Sequence, residues 1–278
     1  MSAGATTDPH IDSFQSAGRT LRTSSEFHQK RLLAAQIGDN YELGKVFRID
    51  ECGRYHNPEF TMLEWYRCGI DHHALIDEVA ELLACLHEDD FPGFSKISYR
   101  ELWQQVAGID IAEASTGSLA KCFEERAIPL PEESSHRFDE LLDLGMGTFI
   151  ADALAKDSYT CIYHYPAAQA SLARIADAGS EFPYACRFEV FYGSVELANG
   201  YYELTDATEQ QARFEADNQA RVVSDKPPMP VDKNLIAALQ HDLPDCAGVA
   251  LGVDRLMMIL LTHVTHINET LCFDWTRA

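Results

Sequence analysis

Residues 187–200 constrain the fold most tightly. Arg187-Phe188-Glu189-Val190-Phe191-Tyr192-Gly193-Ser194-Val195-Glu196-Leu197-Ala198-Asn199-Gly200 pivots on Gly-Ser between apolar arms, the pattern of antiparallel strands joined by a two-residue loop. Such a loop sets Tyr192 opposite Val195 and Phe191 opposite Glu196, which puts Glu189 and Glu196 on one sheet face as diagonal neighbours. Two carboxylates among apolar residues repel each other unless a cation lies between them or both face water. The stretch alone leaves both readings open, and Mg²⁺ shared with nucleotide phosphates is the cation that suits the first.

A second hairpin signal lies upstream. Tyr41–Arg48 and Glu59–Tyr66 are apolar stretches separated by the polar, glycine-containing segment Ile49–Pro58, a hairpin with a long loop. If residues 59–66 are extended, Phe60, Met62, Glu64 and Tyr66 share one face. An aromatic ring, a thioether, a carboxylate and a phenol suit a pocket for a flat base and an amine. They equally suit a half-buried strand with a solvated Glu64.

Helical periodicity marks Asp71–His87, Arg137–Lys156 with a break near Gly145–Gly147, Ala207 to about Val222, Asn234–Gln240 and Val253 into Leu261. Ser24 or Ser25 is placed to cap a helix through Phe27–Ala35. Strands are expected at Thr160–Tyr163, Cys186–Ala198 and Gly248–Leu251. Mostly antiparallel strands with helices clustered around them give an α+β fold.

Composition narrows the partners. A net charge of -22 over 278 residues disfavours whole-surface attraction to nucleic acid. The eight cysteines form no C-x-x-C pair, so reduced cytosolic thiols are expected rather than a zinc cluster or disulfide framework. Residues 1–7 lack the basic and apolar regions of a signal peptide, and no apolar run approaches a membrane span. A cytoplasmic protein is expected, with an irregular segment over residues 1–22 and one catalytic domain over 23–278.

The third informative stretch is Gly248-Val249-Ala250-Leu251-Gly252-Val253-Asp254-Arg255, a small-residue strand running into a helix. Glycine lets a ligand approach the backbone, and an arginine early in the helix can meet an anion. Alone, the stretch reads as well as a strand–helix corner with a surface arginine.

Together the three stretches resemble motifs 2 and 3 of class II aminoacyl-tRNA synthetases, in the lysyl subgroup. They are most similar to a paralogous branch, the elongation factor P–(R)-β-lysine ligases. The resemblance extends through Lys30–Ala35, Gly53–Tyr66, Tyr165–Ala173, Glu196–Asp206 and Pro244–Leu256 and covers about Thr7 to Ala278. It implies a class II catalytic core that uses ATP and Mg²⁺ to adenylate lysine or β-lysine. Elongation factor P would be the acceptor protein, and the family forms homodimers.

The resemblance also implies roles for individual residues. Arg48 binds the α-phosphate and Arg255 clamps the nucleotide with Gly252 beside it. His56 and Asn57 help to hold the nucleotide, Phe60 stacks on adenine, and the Leu197 backbone touches the nucleotide. Glu189 and Glu196 hold Mg²⁺. Ser24, Glu26, Glu64, Tyr66, Asn199, Tyr201 and Glu203 form the amino-acid pocket. Ala250 stands where lysyl-tRNA synthetases carry glycine, favouring the β-lysine branch. Because Glu196 and Asn199 cannot share a face of a regular strand, a bulge or bend is expected near Ala198–Gly200.

The sequence departs from the family's pattern in several places. Asp50 replaces a glutamate that contacts the nucleotide, Ile49 an asparagine, and Ser25 a proline. Motif 1 has no counterpart, which suits a truncated chain or a shortened paralogue. The alternatives are lysyl transfer to tRNA or another acceptor, and an inactive regulatory paralogue.

Overall fold

The computed structural model describes residues 1–49, 51–87, 90–130 and 137–278. In chain order the strands are β1 (Gln15–Ser16), β2 (Arg19–Thr20), β3 (Asn40–Phe47), β4 (Glu59–Cys68), β5 (Phe94–Ser98), β6 (Tyr159–Pro166), β7 (Ile175–Ala176), β8 (Tyr184–Tyr192), β9 (Val195–Tyr202) and β10 (Cys246–Gly252). The α-helices are α1 (Glu26–Ala34), α2 (His72–His87), α3 (Tyr99–Ala107), α4 (Thr116–Glu125), α5 (Phe138–Gly145), α6 (Ala207–Val223), α7 (Lys233–Leu239) and α8 (Val253–Leu260). Among the described residues, no helix is long and apolar enough to cross a membrane. The chain divides into two compact units, one of Met1–His87 with Leu197–Ala278 and the other Glu88–Glu196.

In the first unit, β4 lies between β3 and β10, and β10 also pairs with β9, every pair antiparallel. α2 buries Leu75, Ile76, Val79 and Leu83, the one-sided stripe that a 3.6-residue period makes. α6 and α7 start at Asp206 and Asp232, whose carboxylates accept from the first free backbone N–H groups of each helix, a cap that contributes about 1 kcal/mol. Residues before Ser24 carry little regular structure, yet side chains from α6 and from the turn after it tie them down. The buried Arg221 donates to the carbonyls of Asp8 and Ile11 and to Asp12 Oδ1 at 2.7 Å. Lys226 donates to Asp12 Oδ2, and Thr7 Oγ1 donates to Asp217.

In the second unit β6 pairs antiparallel with β8 and parallel with β5, and β7 adds to β8. β8 ends at Tyr192 and β9 begins at Val195, so the connection is the expected two-residue Gly193-Ser194 loop. Gly193 adopts φ +55° there, a value open to glycine at little cost. The helix expected over 137–156 does break at Gly145. It leaves α5 through a π-helical turn (Met146–Ile150) and a 3₁₀ turn (Ala151–Ala153).

One expectation is met by one of its two candidates and another gives way to the structure. Of the two serines placed to cap α1, Ser24 Oγ accepts from the Glu26 N–H, while the Ser25 side chain makes no cap hydrogen bond. The bulge expected near Ala198–Gly200 is absent along β10, which pairs with β9 in unbroken register from Ala198 to Tyr202. Regular pairing with β10 uses the backbone groups of that segment that face it, and the small residues of β10 impose no side-chain clash that a bulge would relieve.

Candidate functional site

The register of the first unit's sheet brings the sequence-predicted residues onto one face. Directly opposed residues of an antiparallel pair point to the same side. Tyr66, Gly248 and Tyr201 form one row, Glu64, Ala250 and Asn199 the next, and Met62 and Gly252 a third. Val46 opposes Phe60 on β3. From Gly248 to Gly252 β10 presents only glycine and alanine on this face, while Ala247, Val249 and Leu251 are buried on the other. A strand that is thin on one side and packed on the other leaves room for a ligand against its backbone. Asn199 Oδ1 is buried there with no hydrogen-bond partner among the described residues, an acceptor suited to a ligand N–H.

One end of the face is acidic. Glu64 is 2% exposed and is held by surrounding donors. Ser24 Oγ donates to both its oxygens at 3.0 and 2.8 Å, the Ser25 N–H and Oγ donate at 2.9 and 2.8 Å, and the Tyr66 hydroxyl donates at 2.8 Å. This is why the Ser25 hydroxyl does not cap α1, whereas Ser24 Oγ does accept from the Glu26 N–H at 2.9 Å. Burial, then the nearby Glu26, pushes the Glu64 carboxyl above its ordinary value, and the three hydroxyl donors pull it back. Burial and the Glu64 charge hold Tyr66 protonated, hence a donor. Glu26 and the fully buried Glu203 face Lys30, to which the resemblance assigns no role. Gly248 was likewise not assigned to the site, yet a Cβ there would fall 2.2 Å from Tyr66 Cε1 and 2.6 Å from Glu203 Oε1.

The other end is cationic. The Arg48 guanidinium lies over the Phe60 ring, 5.2 Å from its centroid, and pairs with Glu51 at 3.3 Å. Arg255, early in α8, donates from Nε to the Tyr55 carbonyl at 3.0 Å. His56 retains exposed surface. Partial desolvation, then the Arg255 and Arg48 charges, hold its imidazole below the usual value against the opposing pull of Glu51. Two guanidiniums, an imidazole and an aromatic ring in one patch form a receptor for a nucleotide polyphosphate. The Leu197 carbonyl lies 3.8 Å from where a Gly252 Cβ would stand. Asp50 lies outside the described residues.

Asn57, beside His56, is anchored within the protein. It is buried, Nδ2 donates to the Glu59 carbonyl at 2.6 Å and Oδ1 accepts from the Trp275 N–H at 3.1 Å. Both ends of the amide are used within the protein, stitching the 49–58 loop to the C-terminal residues. Asn57→Ala is therefore expected to lower stability by about 1–3 kcal/mol, because both partners lose a hydrogen bond. Thermal unfolding checks this, and an unchanged melting temperature would refute the stitching role.

In the second unit, Glu189 Oε2 accepts from the Tyr165 hydroxyl at 2.6 Å and Oε1 from Arg187, whose guanidinium lies 4.7 Å above the Tyr165 ring. Each carboxylate oxygen has two lone pairs, so this orienting support leaves Glu189 capacity for a hard cation. Glu196 is half-buried near the start of β9.

Comparison with known proteins places this geometry. Residues 6–277 match the profile of the tRNA synthetases class II (D, K and N). The chain belongs to the class II tRNA synthetase family. Curated relatives within reach of this class II synthetase chain carry the name elongation factor P–(R)-β-lysine ligase. The protein from Pseudoalteromonas translucida is 43% identical over 289 residues, covering 100% of this chain and 87% of the relative. Those from Klebsiella pneumoniae and Vibrio cholerae are 43% and 41% identical over 288 residues, with the same coverage. The α+β class and the class II core expected from the sequence are thereby established, and with them an ATP-dependent amino-acid ligase.

Proposed function

We propose that the chain adenylates (R)-β-lysine with ATP and transfers the β-lysyl group to a lysine of elongation factor P. The observation that carries the reading is the polar division of one sheet face, with Arg48, His56 and Arg255 at one end, Glu26, Glu64 and Glu203 at the other, and a side-chain-poor strand between. A substrate with a carboxylate to activate and ammonium groups to anchor matches that polarity.

In the first step a substrate carboxylate oxygen bonds to the ATP α-phosphorus as the bond to the bridging β-phosphate oxygen breaks, and pyrophosphate leaves. A carboxylate needs no general base, so Arg48 and Arg255 act by alignment and by stabilising charge on the phosphates. Glu189 and Glu196 are the residues that would hold Mg²⁺, which supplies further neutralisation of phosphate charge. In the second step an acceptor lysine amine attacks the acyl carbon, forms the amide and releases AMP. Ala250 sits in register between Glu64 and Asn199, where one methyl group selects among lysine isomers by about 1–3 kcal/mol.

Amino-acid-dependent ATP–pyrophosphate exchange tests the reading. Strong exchange with (R)-β-lysine over L-α-lysine is expected. Preference for α-lysine would point to a synthetase-like specificity, and no exchange with either would overturn adenylation.

A further inference from the structure

Lys30 is the chain's own cation inside the acidic end of the site. It lies one turn after Glu26 on α1 and is 1% exposed. Its Nζ is 2.5 Å from Glu26 Oε1 and 2.6 Å from Glu203 Oε2. Glu203 follows β9 and is 0% exposed, so both partners of that contact are out of water. Lys30 reaches no bulk solvent, and its short contacts to two carboxylates tie it to the helix below and the strand end above. It is fixed in the fold rather than poised to leave.

We infer that Lys30 is a positioning residue that sets the charge of the amine-binding end, holding Glu203 and Glu26 in place and leaving a net deficit that matches two ammonium groups. The inference rests on the proposed ligase reading. The charged and titratable groups facing the cluster are Glu26 and Lys30 from α1, Glu64 and Tyr66 from β4, and Glu203 after β9. With all three carboxylates ionised, one ammonium and a neutral Tyr66 leave two negative charges for the substrate amines to compensate. A lysine isomer brings two positive charges to that end. A single-amine amino acid of the same length would leave one carboxylate buried without a counter-charge, which is costly.

The electrostatics agree in direction. Burial raises the Glu203 carboxyl to about 8, with Lys30 as the largest opposing influence and Glu26 adding to the rise. Lys30 stays protonated because its two carboxylates outweigh its burial. Removing Lys30 would push Glu203 still higher, so that less of it is ionised at neutral pH. Amine binding, which needs the ionised form, should weaken there and recover as the pH rises.

The test compares the wild-type full chain with Lys30→Met, whose side chain keeps the length and loses the charge. In pyrophosphate exchange at neutral pH, the KM for the amino acid is expected to rise about 10-fold or more, the equivalent of one pKa unit. The KM for ATP and kcat should stay within about 3-fold. The KM defect should shrink as the pH is raised toward 9.5, which a merely structural lesion would not do. Carboxyl NMR of glutamate-labelled protein gives a second readout without substrate, in which the Glu203 titration should move up by about one unit or more. An unmoved Glu203 titration, or a KM defect that is flat with pH, would overturn the role of Lys30. Absence of exchange by the wild type with every lysine isomer would instead overturn the ligase reading, and the NMR titration would still decide Lys30. A Lys30→Met chain that fails to fold is replaced by Lys30→Gln, judged by the same two readouts.

Discussion

Replacing Arg255 by alanine is expected to lower amino-acid-dependent pyrophosphate exchange by about 10²–10³-fold, the loss typical of removing one pre-aimed charge from a developing anion. Arg255 is on the first turn of α8 and its Nε is pinned to the Tyr55 carbonyl, so the guanidinium plane is set before any nucleotide arrives. A pre-set charge costs no reorganisation when the α-phosphorus is attacked, and the defect should appear in kcat as well as in the KM for ATP. Lysine at this position should restore little, because an ammonium is a point charge and cannot reproduce a planar two-donor contact. Arg48→Ala should behave similarly, with an added loss of order around Phe60, over whose ring Arg48 lies. Thermal unfolding of Arg255→Ala should be nearly unchanged, since the side chain is half-exposed. Exchange within about 3-fold of wild type would refute the clamping role.

Much of this site was legible because strand parity is a strong rule. The alternation of Phe60, Met62, Glu64 and Tyr66 put those four on one face, and the Tyr66–Glu64 hydrogen bond across two positions of β4 bears this out. The Gly193-Ser194 turn and the helix that carries Arg255 were equally local, set by turn chemistry and periodicity. What escaped was long-range. Nothing near Lys30 announces that Glu203, far along the chain, will meet it, and nothing in Asn57 announces Trp275. A lysine flanked by other charged and polar residues on a short helix reads as a solvated face until the fold buries it.

The second unit was read least well for a different reason. β5, α3 and α4 were not anticipated, although the α3 start carries a legible signal. Ser98 and Glu101 form a reciprocal capping box and Gly108 ends the helix in the left-handed region at φ +71°, the spacing expected of a helix start and stop. α4 also has its box, between Ser115 and Ser118, but serine in the second role is weaker as a sequence mark than glutamate or glutamine. The expected bulge that the pairing with β10 does not show has the opposite lesson. Parity between Glu196 and Asn199 was a sound constraint on a regular strand, but the structure keeps the strand regular from Ala198 onward and leaves Asn199 facing Ala250 in the ligand row.

Gly248→Ala is expected to damage the acidic end of the site more than any other single methyl group on the sheet face. A Cβ at 248 would stand 2.2 and 2.5 Å from Tyr66 ring carbons and 2.6 Å from Glu203 Oε1. Neither neighbour can retreat, since Tyr66 is tied to Glu64 and Glu203 to Lys30, and both are buried. Overpacking of this kind costs about 1–3 kcal/mol, a loss of several degrees in melting temperature for a chain of this size. The displaced Tyr66 and Glu203 should also raise the KM for the amino acid about 10-fold or more and leave the KM for ATP near its wild-type value. Gly252→Ala, on the same strand and face, is the matched control. Its backbone has an ordinary negative φ, and the nearest atom to a Cβ there is the Leu197 carbonyl oxygen at 3.8 Å, so its melting temperature should not move. Any activity it loses would then come from space taken from a ligand rather than from the protein. If both variants melted and bound alike, Tyr66 and Glu203 would not be held against β10 as described, and the packing argument for the amine end would fail with them.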